Sequence, residues 1–300
     1  MRLPSATWGL LIGLFAAVVW GAQAVVARSG VVMGFGPLDL SALRFAFAAA
    51  LLAPFAWRAR QSLLAIGMPR LLLLSLLGGF GNALLFAWGL TMAPASHGGT
   101  IAPITSAVAG AVLAIPLLRE WPTAGRVLAL LVIVAGVLMI GWDGIGGAHP
   151  GAWRGDIVLF VAGCSWGGFT VLLRRWSVPA LPGNAAVCVL SAVVLVPPWL
   201  LIAEGGAAAR LPWEASLLQG LSLGVLSSAV ATTLYARATE LMGATRAACL
   251  TAMVPVVAVI LSAIALDEPL GAAKLAGVTL AVAGMITAVL FTGRRRGGQT

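Results

Sequence analysis

Polar and aromatic side chains that interrupt long apolar stretches are the clearest chemical candidates in this chain. Trp20 and Trp166 each lie well inside such a stretch, and an inward-facing indole could stack on an aromatic or apolar molecule. Packing against small neighbours such as Gly21 and Gly167 would equally explain both residues. The other nine of the 11 tryptophans lie near predicted helix ends, which is typical of the aromatic belt at a membrane interface.

Two stretches rich in small and polar residues contain most of the remaining candidates. Asn82 lies in the first stretch, and the second contains Ser227, Ser228, Thr232 and Tyr235. The spacings of four and three residues from Ser228 through Thr232 to Tyr235 place these side chains on one face of an α-helix. We expect Asn82 and Tyr235 to line a cavity. Ser227 and Ser228 could line it too, or could bond to their own backbone carbonyls four residues earlier.

Three further residues carry groups that are uncommon inside apolar helices. Gln23 is polar but neutral. Arg44 could bind the carboxylate of a substrate, or could act as a structural anchor by pairing with Asp39 or with helix carbonyls. His97 could sense or carry a proton, because imidazole changes its charge near neutral pH, or could lie at a solvated helix end at the outer mouth.

Acidic residues are missing from the middle of every apolar stretch. The sequence therefore predicts either facilitated movement of a solute or coupling through a less obvious group. Neither histidine stands at ligand spacing from Asp or Glu, and Cys164, Cys188 and Cys249 are expected to pack as small apolar residues. We accordingly predict no metal site, no cofactor and no enzymatic activity.

Two prolines, Pro103 and Pro255, fall inside predicted helices. Each lacks a backbone N–H, and therefore frees a carbonyl and bends its helix. Both residues could serve as hinges, or could be fixed kinks.

The elements that position these residues follow from composition. The chain of 300 residues is 61% hydrophobic and 9% charged, with a mean hydropathy of +1.04, whereas soluble domains are about 25% charged. A helix of about 20 apolar residues crosses a bilayer. Pro, Gly and charged breaks divide the chain into ten such spans, at residues 6–28, 38–57, 70–90, 96–118, 124–142, 154–173, 183–203, 216–240, 245–265 and 271–291.

The net charge of +9 reflects topology and not nucleic-acid binding. When ten helices are threaded from a cytoplasmic N-terminus, thirteen of the 18 basic residues fall on the cytoplasmic side, four fall outside, and Arg44 lies within the second helix. Basic residues collect on the cytoplasmic side of membrane proteins. We therefore expect both termini in the cytoplasm.

The two halves of the chain repeat one pattern. Trp20, Gly21 and Arg28 recur as Trp166, Gly167 and Arg174 at an offset of 146 residues. We predict an N-terminal repeat at 1–148 and a C-terminal repeat at 149–300, each of about five helices. Because five is odd, the second repeat enters the membrane from the opposite side, which makes an inverted repeat around a central cavity.

Specific motifs give the chain a family resemblance. They are Trp20-Gly21, the Pro37 to Arg44 entry to the second helix, Glu120 and Glu268 at the ends of the fourth and ninth helices, and Ala-Gly at 135–136 and 283–284. The chain resembles the drug/metabolite transporter superfamily, EamA type, and within it the bacterial aromatic amino acid exporters. This resemblance implies a five-plus-five inverted repeat with a central cavity in the bacterial inner membrane.

The function expected from these observations is export of amino acids, aromatic or otherwise apolar, and of related metabolites by alternating access. Export of another small metabolite or a drug is the alternative, and a membrane-embedded enzyme or an assembly factor fits the residues less well. The expected partners are the small-molecule substrate and the lipid bilayer. The oligomeric state is open, and a monomer is compatible with the sequence.

Overall fold

A computed structural model describes residues 5–146, 149–202, 210–242, 247 and 250–293. Every regular element among these residues is helical. This follows from the composition, since a lipid-embedded backbone must satisfy its own hydrogen bonds and a helix does so within one segment.

The helices are numbered in chain order, with one π-helical segment named π1. Their bounds are α1 Ser5–Met33, α2 Pro37–Arg58, α3 Arg60–Ile66, α4 Met68–Gly78, α5 Phe80–Met92, α6 Ala95–Leu118, α7 Ala124–Gly146, α8 Trp153–Arg175, α9 Ala180–Ile202, α10 Trp213–Gln219, π1 Gly220–Ala231, α11 Thr232–Met242, α12 Met253–Leu266 and α13 Ala272–Gly293.

The ten predicted spans are present in the described part of the chain. Seven helical stretches are long and apolar enough to cross a membrane, and three shorter apolar helices occupy the fifth, ninth and tenth spans. The third span combines α4 with α5, and the eighth combines α10, π1 and α11. The chain is thus an all-α polytopic membrane protein with five spans in each inverted half. The predicted boundary between residues 148 and 149 borders a segment outside the described residues and stays a prediction.

The first helix is longer than the sequence predicts. It continues past Arg28, the predicted end, to Met33. The guanidinium of Arg28 donates a hydrogen bond to the carbonyl oxygen of Leu90, so its charge is accommodated against α5 without ending the helix. A basic residue is therefore an unreliable end marker where another helix offers it a carbonyl.

The third span is broken, whereas the sequence predicts a continuous helix. Gly79 separates α4 from α5 with φ −114° and ψ −118°. The amide of Phe80 donates to the hydroxyl of Ser191 on α9 at 3.0 Å. A Cβ on Gly79 would lie 2.2 Å from that same oxygen, so the close approach requires glycine.

The eighth span is irregular at the equivalent place. The 12 residues of π1 form i→i+5 hydrogen bonds, and they include Ser227 and Ser228, which correspond to Gly78 and Gly79 at an offset of 149. Departures of this kind from α-helix occur often at functional sites. Both repeats thus interrupt the regular α-helix at corresponding positions.

The main helix contacts join the two halves. Helix α7 packs on α13, α6 on α8, α2 on α9, and α1 on α11 and α12. Glycines permit the closest approaches: a Cβ on Gly136 would lie 2.6 Å from the carbonyl oxygen of Gly277, and the reciprocal distance is 2.8 Å. Small residues are the usual means of close helix contact in lipid, where no water-driven force brings helices together.

Pro103 and Pro255 lie at different positions within their helices. Pro103 lies in the interior of α6, where the hydroxyl of Ser106 donates to the Pro103 carbonyl at 2.7 Å. Pro255 lies in the first turn of α12, directly after a turn at Ala252 that interrupts the helix, and its role as a hinge or fixed kink stays a prediction. Proline is tolerated there because first-turn amides have no intrahelical partner.

Candidate functional site

Halfway along α1, two predicted site residues reach the second repeat. The rings of Trp20 and Tyr235 lie 5.0 Å apart between centroids, inclined by 54°. Three residues further along α1, the amide oxygen of Gln23 accepts a hydrogen bond from the hydroxyl of Ser227. All but Ser227 remain partly exposed. The structure therefore brings an aromatic pair and an amide together at the α1–π1–α11 contact.

The next residue of π1 connects this contact to Arg44. The guanidinium Nε of Arg44 donates to the hydroxyl oxygen of Ser228 at 2.7 Å, and that hydroxyl donates in turn to the carbonyl of Leu223 at 2.8 Å. Asn184 on α9 donates to the carbonyl of Ser228 at 2.9 Å. The polar cluster is defined here as Trp20, Gln23, Arg44, Ser227, Ser228 and Tyr235.

Arg44 has unused hydrogen-bonding capacity. It is partly buried within α2, and among the described residues only the hydroxyl of Ser228 accepts a hydrogen bond from it. The pairing of Arg44 with Asp39, one of the alternatives that the sequence leaves open, is not formed. Asp39 instead accepts from the amide of Gly36 at 2.8 Å and from the indole of Trp199 at 2.9 Å, which satisfies its carboxylate elsewhere. Trp199 is therefore tied to α2 and not only to the lipid interface.

The predicted single face of Ser228, Thr232 and Tyr235 is not formed. Ser228 meets α2 and α9, whereas Tyr235 meets α1. The hydroxyl of Thr232 donates to the carbonyl of Ser227, five residues earlier, at 3.3 Å. The cause is π1, whose i→i+5 turns are wider than the α-helical turns assumed by the spacing.

The equivalent contact elsewhere in the bundle joins the third span of the first repeat to α8 of the second repeat. Asn82 on α5 donates to the carbonyl of Ala162 on α8 at 2.7 Å, and the hydroxyl of Ser165 donates to the carbonyl of Leu77 at 2.7 Å. Trp166 lies 5.1 Å from the ring of Phe169 and packs beside an apolar cluster. Trp20 and Trp166 are thus equivalent in sequence but not in surroundings.

At one end of the bundle, His97 is buried in the first turn of α6. It is 0% exposed, so the alternative that it lies at a solvated helix end does not hold. Its Nδ1 lies 2.8 Å from Oδ1 of Asp156, in the first turn of α8, where Asp156 is 8% exposed. The sequence analysis missed Asp156 because it stands close to a predicted span end and 59 residues from its partner. Only tertiary packing of α6 on α8 brings the pair together.

A cavity of about 670 Å³ opens near this pair. The ends of α1, α5 and α12 and the segment before α8 enclose it, and its charged or titratable lining residues are Arg28, His149, Arg154, Asp267 and Glu268. The ring of His149 lies 6.0 Å from that of His97, edge to face. His149 therefore lies between the buried His97–Asp156 pair and the cavity.

Glu268 attaches the end of α12 to the start of α6. Its carboxylate accepts hydrogen bonds from the backbone amides of Ala95 and Ser96, the latter at 3.0 Å. A carboxylate is well placed there, because the N-terminal amides of a helix are unpaired and partly positive. Lys274 is buried nearby and donates to the carbonyl of Pro269 at 3.1 Å.

No group of three or more His, Cys, Asp or Glu side chains suited to a metal ion occurs among the described residues. The polar cluster combines a guanidinium, an amide, hydroxyls and two aromatic rings.

Comparison with known proteins agrees with this architecture. The model of the EamA-like transporter family matches residues 7–142 and again residues 153–290. A solved structure titled "Crystal structure of protein" has a TM-score of 0.63 and 20% sequence identity, and the match covers 99% of this chain and 100% of that one. No curated protein matches. With both repeats matched, the chain belongs to the EamA-like transporter family, within the drug/metabolite transporter superfamily, and is a membrane transporter of small metabolites.

Proposed function

We propose that this transporter exports amino acids, aromatic or otherwise apolar, and related metabolites by alternating access across a bacterial inner membrane, with both termini in the cytoplasm. The observation that carries the proposal is Arg44. Its guanidinium lies within a membrane span and is bonded only to the hydroxyl of Ser228 among the described residues. Ionisable groups inside spans are rare and usually serve function.

The geometry of Arg44 suits a carboxylate. Its Nε is engaged by Ser228, while its two terminal nitrogens bond no described residue. A guanidinium presents its donors in a plane that matches the two oxygens of a carboxylate. The α-carboxylate shared by all amino acids is therefore the group that Arg44 would bind. The positive charge also disfavours cationic drugs as substrates.

The rest of the polar cluster suits the remainder of such a molecule. Trp20 and Tyr235 offer aromatic surface to an apolar or aromatic side chain. Their ring faces also attract an ammonium group, as the negative face of an aromatic ring attracts cations. Gln23, adjoining this pair, adds an amide for hydrogen bonding.

The composition of the cluster supports alternating access. Trp20, Gln23 and Arg44 come from the first repeat, and Ser227, Ser228 and Tyr235 come from the second. A substrate held between them would be exposed to one side or the other when the inverted halves move relative to each other. The cytoplasmic excess of basic residues supports the orientation.

Counterflow of labelled amino acids into liposomes containing the purified protein tests the proposal. Charge-assisted hydrogen bonds contribute about 1.5–3 kcal/mol, so we expect Arg44→Gln to reduce counterflow about tenfold or more and Arg44→Lys to retain part of it. Arg237→Gln is the control, because Arg237 is exposed and pairs only with Glu240 among the described side chains. Full activity of Arg44→Gln, or movement only of solutes without a carboxylate, would overturn the proposal.

A further inference from the structure

We infer that the cavity of about 670 Å³ at the ends of α1, α5 and α12 is a second binding site, which takes a zwitterionic amino acid between Arg154 and Asp267. The cavity lies apart from the polar cluster. Arg28 on its wall is eight residues beyond Trp20 along α1, which is about 12 Å at the rise of an α-helix. The choice of an amino acid as ligand rests on the proposed function, whereas the arrangement of charges does not.

Two charged groups on the cavity wall have neither a hydrogen bond nor an ion pair with any described residue. The guanidinium of Arg154 lies 5.5 Å from the ring centroid of Trp153, its neighbour in the chain, and makes no other interaction within the described part of the protein. The carboxylate of Asp267, directly after the last residue of α12, makes none there. Both side chains are exposed, so their charges are available to a ligand in the cavity.

The other ionisable groups of the wall are engaged within the protein. Glu268 accepts hydrogen bonds from the amides at the start of α6, and Arg28 donates to a carbonyl of α5. The ring of His149 lies edge to face against that of His97. Among the described residues, the wall therefore offers a ligand one arginine and one carboxylate that are not joined to each other or to a third group.

Opposite charges on one wall favour a ligand that carries both. An α-carboxylate would accept hydrogen bonds from the guanidinium of Arg154, whose planar donors match its two oxygens. The ammonium group of the same ligand would donate to the carboxylate of Asp267. A ligand with a single charge would be attracted by one of these groups and repelled by the other. The cavity therefore favours a zwitterion over a cation or an anion of the same size.

The size of the cavity and the rest of its lining suit an amino acid with an apolar side chain. Sites for small molecules have volumes of about 300–1,000 Å³ and are lined mostly by apolar groups, with a few polar groups that fix the orientation of the ligand. Val32, Met92 and Leu266 provide apolar surface in this cavity. In the proposed orientation this end faces the outside, so the site would bind amino acids on the side where exported molecules leave.

Protection of a cysteine in the cavity tests the inference. The reporter is Val32→Cys, at a lining position that is 68% exposed, in a background with the three native cysteines replaced. The purified protein is labelled with a maleimide in the presence of L-phenylalanine, of phenethylamine, which lacks the carboxylate, or of phenylpropionate, which lacks the ammonium group. We expect L-phenylalanine to slow labelling and each analogue to protect much less at the same concentration. Thr91→Cys, exposed at the same end but outside the lining, is the control and should be labelled at one rate throughout.

Variants of the two charged residues should weaken this protection. Arg154→Gln and Asp267→Asn should each raise the concentration of L-phenylalanine that gives half protection about two- to fivefold, the range for exposed charge pairs. Exchange of the charges is the more specific test, because Arg154→Asp alone should abolish protection and the further change Asp267→Arg should restore it. Arginine fits that backbone, since Arg119 at the equivalent end of α6 has φ 56° and Asp267 has φ 52°.

Arg44→Gln separates this site from the polar cluster. It should leave protection of Val32→Cys unchanged while it reduces counterflow. Protection that is lost in Arg44→Gln but kept in Arg154→Gln would assign the effect to the polar cluster and overturn the inference. Equal protection by all three compounds, or none by L-phenylalanine, would overturn it as well. Intact protection without any counterflow of amino acids would contradict the proposed function alone.

Discussion

At the scale of single residues, two equivalent tryptophans illustrate how far a sequence repeat predicts function. Trp20 faces Tyr235 and lies one turn from Gln23, whereas Trp166 lies beside Phe169 in apolar surroundings. Stacking on a substrate therefore remains a proposal for Trp20, and the contacts of Trp166 favour its packing role.

We predict that Trp20→Ala and Trp166→Ala will differ in their effects. Trp20→Ala should reduce counterflow of aromatic amino acids more than that of small ones, because it removes stacking surface worth about 0.5–1.5 kcal/mol beyond burial. Trp166→Ala should lower thermal stability, because a deleted indole leaves a cavity. Counterflow and melting temperature of both purified variants check this, and unchanged transport in Trp20→Ala would remove stacking from the account.

Contacts between residues far apart in the sequence limited how much of the site could be predicted. The sequence identifies Trp20, Gln23, Ser227, Ser228 and Tyr235 as candidates through their polar or aromatic nature within apolar spans. It does not indicate that Arg44 meets Ser228, which is 184 residues away. Contacts of this kind depend on which helices pack together, and no local spacing encodes that choice.

At the scale of elements, the hydropathy pattern does not predict where the helices become irregular. Both α4–α5 and π1 are as apolar as regular spans, so their composition predicts crossing but not backbone form. The repeat gave one usable signal: two pairs of small residues, Gly78-Gly79 and Ser227-Ser228, lie at equivalent positions of the two halves, 149 residues apart. Small residues at both positions permit other helices to approach the interrupted backbone.

Neighbouring glycines of α8 give a prediction about helix packing. A Cβ on Gly167 would lie 2.7 Å from the carbonyl oxygen of Ser106 and 2.8 Å from the amide of Gly110, whereas a Cβ on Gly168 has its nearest neighbours at 3.7 Å. Gly167→Ala should therefore force α6 and α8 apart, at a cost of about 1–3 kcal/mol.

Gly168→Ala is the matched control, with an identical chemical change one residue away. It should leave stability unchanged or raise it slightly, because alanine favours helix over glycine. Melting temperatures of both variants in the same detergent provide the measurement. An equal loss in the two proteins would contradict the α6–α8 packing described above.

At the scale of the whole molecule, the number of spans could be predicted because lipid leaves the backbone few choices. Long apolar segments must become helices, and Pro, Gly and charged residues mark most of their ends. The predicted helix ends are less accurate where tertiary contacts intervene. One example is Arg28, whose hydrogen bond to the carbonyl of Leu90 allows α1 to continue.

The inverted topology leads to a labelling prediction. Gln61, after the second span, and Thr91, in the last turn of the third, are both exposed and should face opposite sides of the membrane. In intact cells, a membrane-impermeant maleimide should label Thr91→Cys and spare Gln61→Cys, in the background without native cysteines. Permeabilised cells should label both. The reverse pattern would place the termini outside and contradict the proposed orientation.

The position of Arg44 also has an electrical consequence. Its charge lies within a membrane span, where it experiences part of the transmembrane voltage, worth about 2.3 kcal/mol per 100 mV for a full crossing. A zwitterionic amino acid adds no net charge, so the empty and loaded carriers would respond to voltage alike. An interior-negative voltage would then favour the state in which Arg44 is connected to the cytoplasm. It would set which side the binding site faces at rest, without adding driving force to the net movement of substrate.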